Sequence, residues 1–223
     1  MKYNLDSPLI RSLTRAADVM ILNIVFIVAS LPVVTIGAAW TALYYVAGKM
    51  VRNEEGMILA DFFKSFRQNF KQATILWLII AAVIALLALD LYIIKSMTES
   101  TFTECLRAII IVFAVLVWML LQYVFPSLSR FEACTGATLK NAALFAVADL
   151  PRTIFMSFFL GGLIAFTFLN KYTIYTGIFA WLTVGFAIIA LANSNVLYKV
   201  YARCFGEKSA EDNKQEAASE KEQ

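Results

Sequence analysis

Four apolar runs, at residues 74–94, 108–125, 153–169 and 174–197, limit what this chain can fold into. At a rise of about 1.5 Å per residue, each helix is long enough for a hydrocarbon core of about 30 Å. A soluble bundle would need polar faces on these helices, and the runs carry none between residues 75 and 89 or 109 and 121. Across the 223 residues, 61% are hydrophobic and 16% are charged. Soluble domains hold roughly half apolar and about a quarter charged residues. The expectation is an all-α, polytopic transmembrane helical bundle formed as one domain over residues 1–205. Residues 206–223 are a run of Glu, Lys, Ser, Gln and Ala with no apolar stripe, and are expected to be a disordered tail.

A fifth run, residues 19–47, is longer than the others and contains Pro32 and Gly37. It either crosses once or turns and comes back. The Lys and Arg residues discriminate, because they concentrate on the cytoplasmic side. A single crossing gives five spans, with thirteen basic residues inside and six outside. A turn at Pro32 to Gly37 gives six spans, with sixteen inside and three outside. Six spans with both termini cytoplasmic fit the bias better; five is the alternative. The hairpin reading puts the turn near the outer face. Pro32 bars the preceding residue from the α region. Val33, Val34 and Ile36 favour extended backbone, and Gly37 permits positive φ. Pro32 and Thr35 then belong to the turn, while Gly37, Ala38, Thr41 and Ala42 form a small-residue face for close helix packing. Lys2, Arg11 and Arg15 before residues 19–31 imitate a secretory signal. Apolar sequence continues past Gly37-Ala38-Ala39, so the segment is read as retained.

Residues 51–73 follow a different pattern. Phe62, Phe63, Phe66 and Phe70 recur at helical spacing, and Lys64, Arg67 and Lys71 lie between them. This is a cytoplasmic amphipathic helix suited to anionic lipid or to the inner ends of the spans. A weaker counterpart, a short helix before Pro151, follows the 108–125 run.

Polar residues within spans are the first functional candidates. Asn23, Gln122, Asn193, Ser194 and Asn195 qualify, either as hydrogen-bonding glue between helices or as the lining of a solute path. The sequence has no histidine, so the commonest general base and metal ligand is missing. Cys105, Cys134 and Cys204 lie too far apart for a metal motif. No Gly-rich phosphate loop is present. No catalytic, metal or cofactor residues are assigned, no cofactor is expected, and the protein is read as not an enzyme.

The run "LPVVTIGAAWTALYYVAGKMVRNEEG", followed by "FFKSFRQNFKQA", "YVFPSLSRF" and "LKNA", resembles the YesL family, small polytopic membrane proteins of Gram-positive bacteria. The likeness covers about residues 23–205. One departure is Ala38, where many relatives carry proline after the glycine. The resemblance implies a bacterial cell-membrane protein near carbohydrate uptake, because genes of this family often accompany those for oligosaccharide import and degradation. A non-enzymatic accessory role follows, with membrane lipid and a sugar ABC-transporter subunit as partners and no nucleic acid. The alternative is a transporter or channel acting on its own.

Overall fold

The structure, a computed structural model, describes residues 8–205 except 55, 98–99, 132–133 and 149; the 206–223 tail lies outside the described residues. The described residues are helical throughout, with no strand. The helices are α1 (Pro8–Ser30), α2 (Ile36–Val51), α3 (Ile58–Ser96), α4 (Thr101–Arg130), α5 (Thr135–Ala148), α6 (Leu150–Thr167), α7 (Lys171–Ala180) and α8 (Phe186–Phe205). A single-turn 3-10 helix, Val33–Thr35, joins α1 to α2, and a π-turn, Trp181–Gly185, carries α7 directly into α8. The chain is therefore an all-α polytopic bundle. Five stretches are long and apolar enough to cross a membrane: Ser12–Ser30, Ile58–Ser96, Thr101–Arg130, Leu150–Thr167 and Lys171–Lys199.

The chain turns back at Pro32. Phe26 of α1 meets Trp40 of α2 with ring centroids 5.0 Å apart. Arg15 near the start of α1 donates to Asn53, just beyond α2, at 2.6 Å. These two pairs make α1 and α2 an antiparallel hairpin. Its tip is closed by protein partners rather than left to lipid. The Thr35 hydroxyl donates to the Ala29 and Pro32 carbonyls at 2.7 Å each. The Trp77 indole donates to the Val33 carbonyl at 2.8 Å. Pro32 takes the extended backbone expected of the turn, with ψ 121°, but Val33 to Thr35 form a 3-10 turn and Ile36 starts α2. Gly37 sits in the first turn of α2, and its role is absence of a side chain rather than positive φ. A Cβ there would lie 2.5 Å from the Ala73 carbonyl oxygen and 2.7 Å from the Trp77 Cβ.

This small-residue start lets α2 sit at the centre of the bundle. Gly37, Ala38, Ala39, Thr41, Ala42, Leu43, Tyr44, Val46 and Ala47 are all buried. Helix α2 has 16 residues, so it is about 24 Å long. It packs antiparallel on the first half of α3, from the Lys49–Asp61 ion pair (2.8 Å) to Gly37 against Ala73.

Residues 58–73 are not a helix of their own, because α3 runs unbroken for 39 residues. Its first half is amphipathic and its second half is the apolar span. The phenylalanine stripe divides: Phe62 is buried and Phe66 packs on the core, whereas Phe63 and Phe70 stay exposed. Lys64, Arg67 and Lys71 are exposed. At the corresponding junction between α5 and α6, Pro151 occupies the first turn of a new helix. Its ring has no N–H to donate and is tolerated at a helix start.

The bundle thus has two halves along its axis. One holds α1, α2, the start of α3, the end of α4, α5 and α8, and contains most of the buried core. The other holds the second half of α3, the first half of α4, α6 and α7, and turns large apolar side chains outward, among them Ile79, Leu86, Val112, Leu116, Phe158 and Phe179.

Candidate functional site

The intramembrane polar residues singled out in the sequence do not share one network. Asn23, fully buried, donates to the carbonyls of Trp181 (3.1 Å) and Leu182 (2.8 Å) and accepts the Ala187 N–H at 3.1 Å. A π-turn leaves backbone groups without their helical partners, and one amide satisfies three of them with its two donors and one acceptor. Gln122 donates to the Ser157 hydroxyl at 2.5 Å, tying α4 to α6. Asn193 donates to the Tyr44 hydroxyl at 3.2 Å, tying α8 to α2. Asn195 is exposed and bonds only its own helix, at the Leu191 carbonyl.

Ser194 does open onto a cavity. The cavity lies in the half with most of the buried core, among the ends of α2, α4 and α8, and holds about 140 Å³. Its walls are Tyr45 and Arg52 from α2 and its cap, Ser129 and Arg130 from α4, and Tyr198 and Tyr201 from α8. Arg130 is packed against aromatic faces, 5.6 Å from the Tyr198 centroid and 5.3 Å from that of Tyr201. Such cation–π stacking holds a planar guanidinium in a defined orientation. Tyr201 is fixed in turn by Phe145 and Phe131, with centroids 4.9 and 5.4 Å away, and by a 3.1 Å hydrogen bond with Ser127.

Arg52 is positioned by the way α2 ends. The N–H groups of Arg52, Asn53 and Glu54 bond back to Gly48, Met50 and Lys49 at 3.2, 3.2 and 3.0 Å. Asn53 takes the left-handed conformation, φ 54°, which asparagine tolerates better than most side chains. The reversal brings the Glu54 carboxylate onto Arg52 in two bonds, 2.7 Å from Nε and 3.0 Å from Nη2. Arg52 holds the Glu54 carboxyl below the usual range, with smaller contributions from Lys49 and Arg130.

Sequence reading missed this cavity because its residues are far apart in the chain. Tyr198 and Tyr201, three apart on one helix face, were the available signal; that they face Arg52 and Arg130 needed the tertiary packing. A second hollow, about 370 Å³ and lined by Phe166, Trp181 and Ile188, lies between α6 and the α7–α8 rod and is almost wholly apolar.

The pattern that defines the family described as "Protein of unknown function, DUF624" matches residues 19–91. That region carries the hairpin, α2 and most of α3, and so one wall of the cavity. The chain is also 26% identical over 144 residues to the uncharacterized protein YesL of Bacillus subtilis (strain 168), covering 64% of this chain and 67% of that protein. These matches support a likeness to the YesL/DUF624 family, with the family pattern falling on the first part of the chain. No solved structure matches it. The all-α polytopic architecture expected from the resemblance is seen in the helices themselves, and the YesL-like run falls on the α1–α2 turn described above.

Proposed function

We propose that this YesL-like chain is a non-enzymatic accessory protein of the bacterial cell membrane, with both termini cytoplasmic, that serves carbohydrate uptake by docking on a transporter subunit. The observation that carries the reading is the height of the α1–α2 hairpin. Its tip touches Trp77, and α3 continues for about 19 residues, roughly 28 Å, beyond that point. Residues 78–94 expose apolar side chains along that length, so they need the hydrocarbon. A layer of about 30 Å that ends at Lys95 spans about 20 residues of helix and reaches down to about residue 75. The hairpin then enters from the inner side by less than one turn and does not cross. In this reading the turn lies near the inner face.

The side chains of Asn23 and Asn193 are spent on backbone groups and on Tyr44. Gln122, bonded to Ser157, and the exposed Asp90 are the candidates left within the belt among the described residues. That arrangement supports an accessory role over a polar solute path. Helix α1 meanwhile exposes Met20, Ile24, Val28 and Leu31 along one side, alongside a half rich in Lys and Arg. An apolar stripe beside charged surface marks a contact face for another protein. The lack of histidine in the whole sequence supports the non-enzymatic reading.

A photo-crosslinker at Ile24 or Val28 is expected to capture a sugar-transporter subunit in membranes, and one at Val112 is not. Equal capture at all three positions, or none, defeats the docking face. Uptake of labelled oligosaccharide by proteoliposomes holding only this protein would establish the transporter reading instead. The topology has a separate test. In a Cys-free background, Ser100→Cys is expected to react with an impermeant thiol reagent added outside, and Val34→Cys is not. Outside labelling at both positions would restore a hairpin that crosses.

A further inference from the structure

We propose that the cavity among the ends of α2, α4 and α8 binds a phosphate-bearing ligand, and that Glu54 occupies the phosphate's place on Arg52 in the free protein. Two guanidinium groups from different helices line one small space. Paired arginine forks match the several oxygens of a phosphate better than a single carboxylate. Tyr45 from α2 and Ser194 from α8 also line the space. The rings of Tyr198 and Tyr201, which already support Arg130, leave apolar surface for the carbon part of a ligand.

The Arg52–Glu54 pair has the form of an anion site filled from within. The carboxylate engages the guanidinium side-on with both oxygens. Yet its own side chain is 48% exposed and sits two residues away in a surface turn. Exposed pairs of this kind contribute little, so a dianion that also reaches Arg130 can displace it. Glu54 follows directly on the turn that Asn53 shapes. That turn is tied to α1 through Arg15, so occupancy of the cavity is coupled to the hairpin's cytoplasmic end.

The ligand's phosphate has two sources: a soluble phosphate monoester reaching the basic end, or the headgroup of an anionic lipid. Full-length protein in phosphatidylcholine nanodiscs, titrated with inorganic phosphate and glycerol 3-phosphate against chloride at equal ionic strength, tests the first. Nanodiscs containing phosphatidic acid test the second. Saturable binding is expected in at least one arm, read as heat of binding or as a rise in unfolding temperature. Arg52→Gln is expected to weaken it by about tenfold or more, since charged hydrogen bonds are lost. Arg130→Lys keeps the charge but not the fork, and is expected to weaken it several-fold. Glu54→Gln should tighten it by up to about tenfold by vacating Arg52. Unfolding midpoints without ligand check that each variant is folded. Binding in the soluble arm identifies a metabolite, and binding only with phosphatidic acid identifies a headgroup. Binding in neither arm, or binding that Arg52→Gln and Glu54→Gln leave unchanged, overturns the proposal.

Discussion

Gly37→Ala is expected to destabilise the protein by about 2–3 kcal/mol, although it adds one methyl group. Overpacking in a rigid core typically costs this much. The new Cβ would stand 2.5 Å from the Ala73 carbonyl oxygen, 2.7 Å from the Trp77 Cβ and 3.1 Å from the Phe125 ring. The first two atoms belong to, or lie next to, the α3 backbone and cannot swing aside as a flexible side-chain end would. Relief requires α2 to move away from α3 and α4 together. That would also strain the Trp77–Val33 hydrogen bond that closes the hairpin. For a protein of this size, the loss corresponds to a fall of roughly 5–10 °C in the unfolding midpoint. Gly162→Ala is the matched control. Gly162 also lies within a helix, but nothing stands within 4 Å of its added Cβ. There the change removes a flexible residue from a helix and should stabilise by about 0.5–1 kcal/mol. Thermal unfolding of both variants in detergent checks the pair. If Gly37→Ala unfolds at the wild-type temperature, the close approach of α2 to α3 is wrong.

Asn23→Leu carries a comparable effect for a different reason. It keeps the side chain's size and removes its polarity. The carbonyls of Trp181 and Leu182 and the N–H of Ala187 are then left buried without their partner. Each unsatisfied group costs about 1–3 kcal/mol, and the expected loss is about 3 kcal/mol in total, allowing for partial relaxation. Asn23→Asp separates polarity from geometry. It retains an acceptor for Ala187 but turns a carboxylate oxygen toward two carbonyl oxygens, so it should be at least as damaging as leucine. Hydrogen exchange at the Ala187 amide gives a local readout, and should accelerate in Asn23→Leu but not in Gly162→Ala. An unchanged exchange rate together with unchanged stability would remove Asn23 as the clamp of the π-turn.

The same residue illustrates how far pattern reading reaches. An amide inside an apolar run signals a buried hydrogen bond, because hydrocarbon offers no alternative partner. It does not signal which helix supplies the partner, and here that helix lies more than 150 residues away. Gly37 is a similar case. Its place after Pro32 and before Ala38, Thr41 and Ala42 marked close packing, but the turn itself was assigned to its φ angle. The 3-10 turn at Val33–Thr35 made positive φ unnecessary, since the Thr35 hydroxyl and Trp77 satisfy the tip. The phenylalanine stripe read as one face because helical spacing alone was counted. In the fold it straddles a boundary, with Phe62 inside and Phe63 outside. Arg52 and Arg130 entered the sequence argument only as positive charges. Their convergence on one cavity is a property of three helix ends.

The residues alone settle the class of this protein. Apolar runs of helical length must satisfy their backbone internally in lipid, so an all-α bundle follows from composition and length. They also mark Pro32 as the favoured place for a reversal, through the distribution of Lys and Arg, with a single crossing as the alternative. The depth of that reversal is different. It depends on α3 running unbroken from Ile58 to Ser96, and on a glycine narrow enough to bring α2 against its first half. Local sequence encodes where a helix can stop; only packing against a neighbour decides how far along that neighbour it stops. That register put the hairpin tip beside Trp77, and it gathered Arg52, Arg130 and their tyrosines at one end of the bundle.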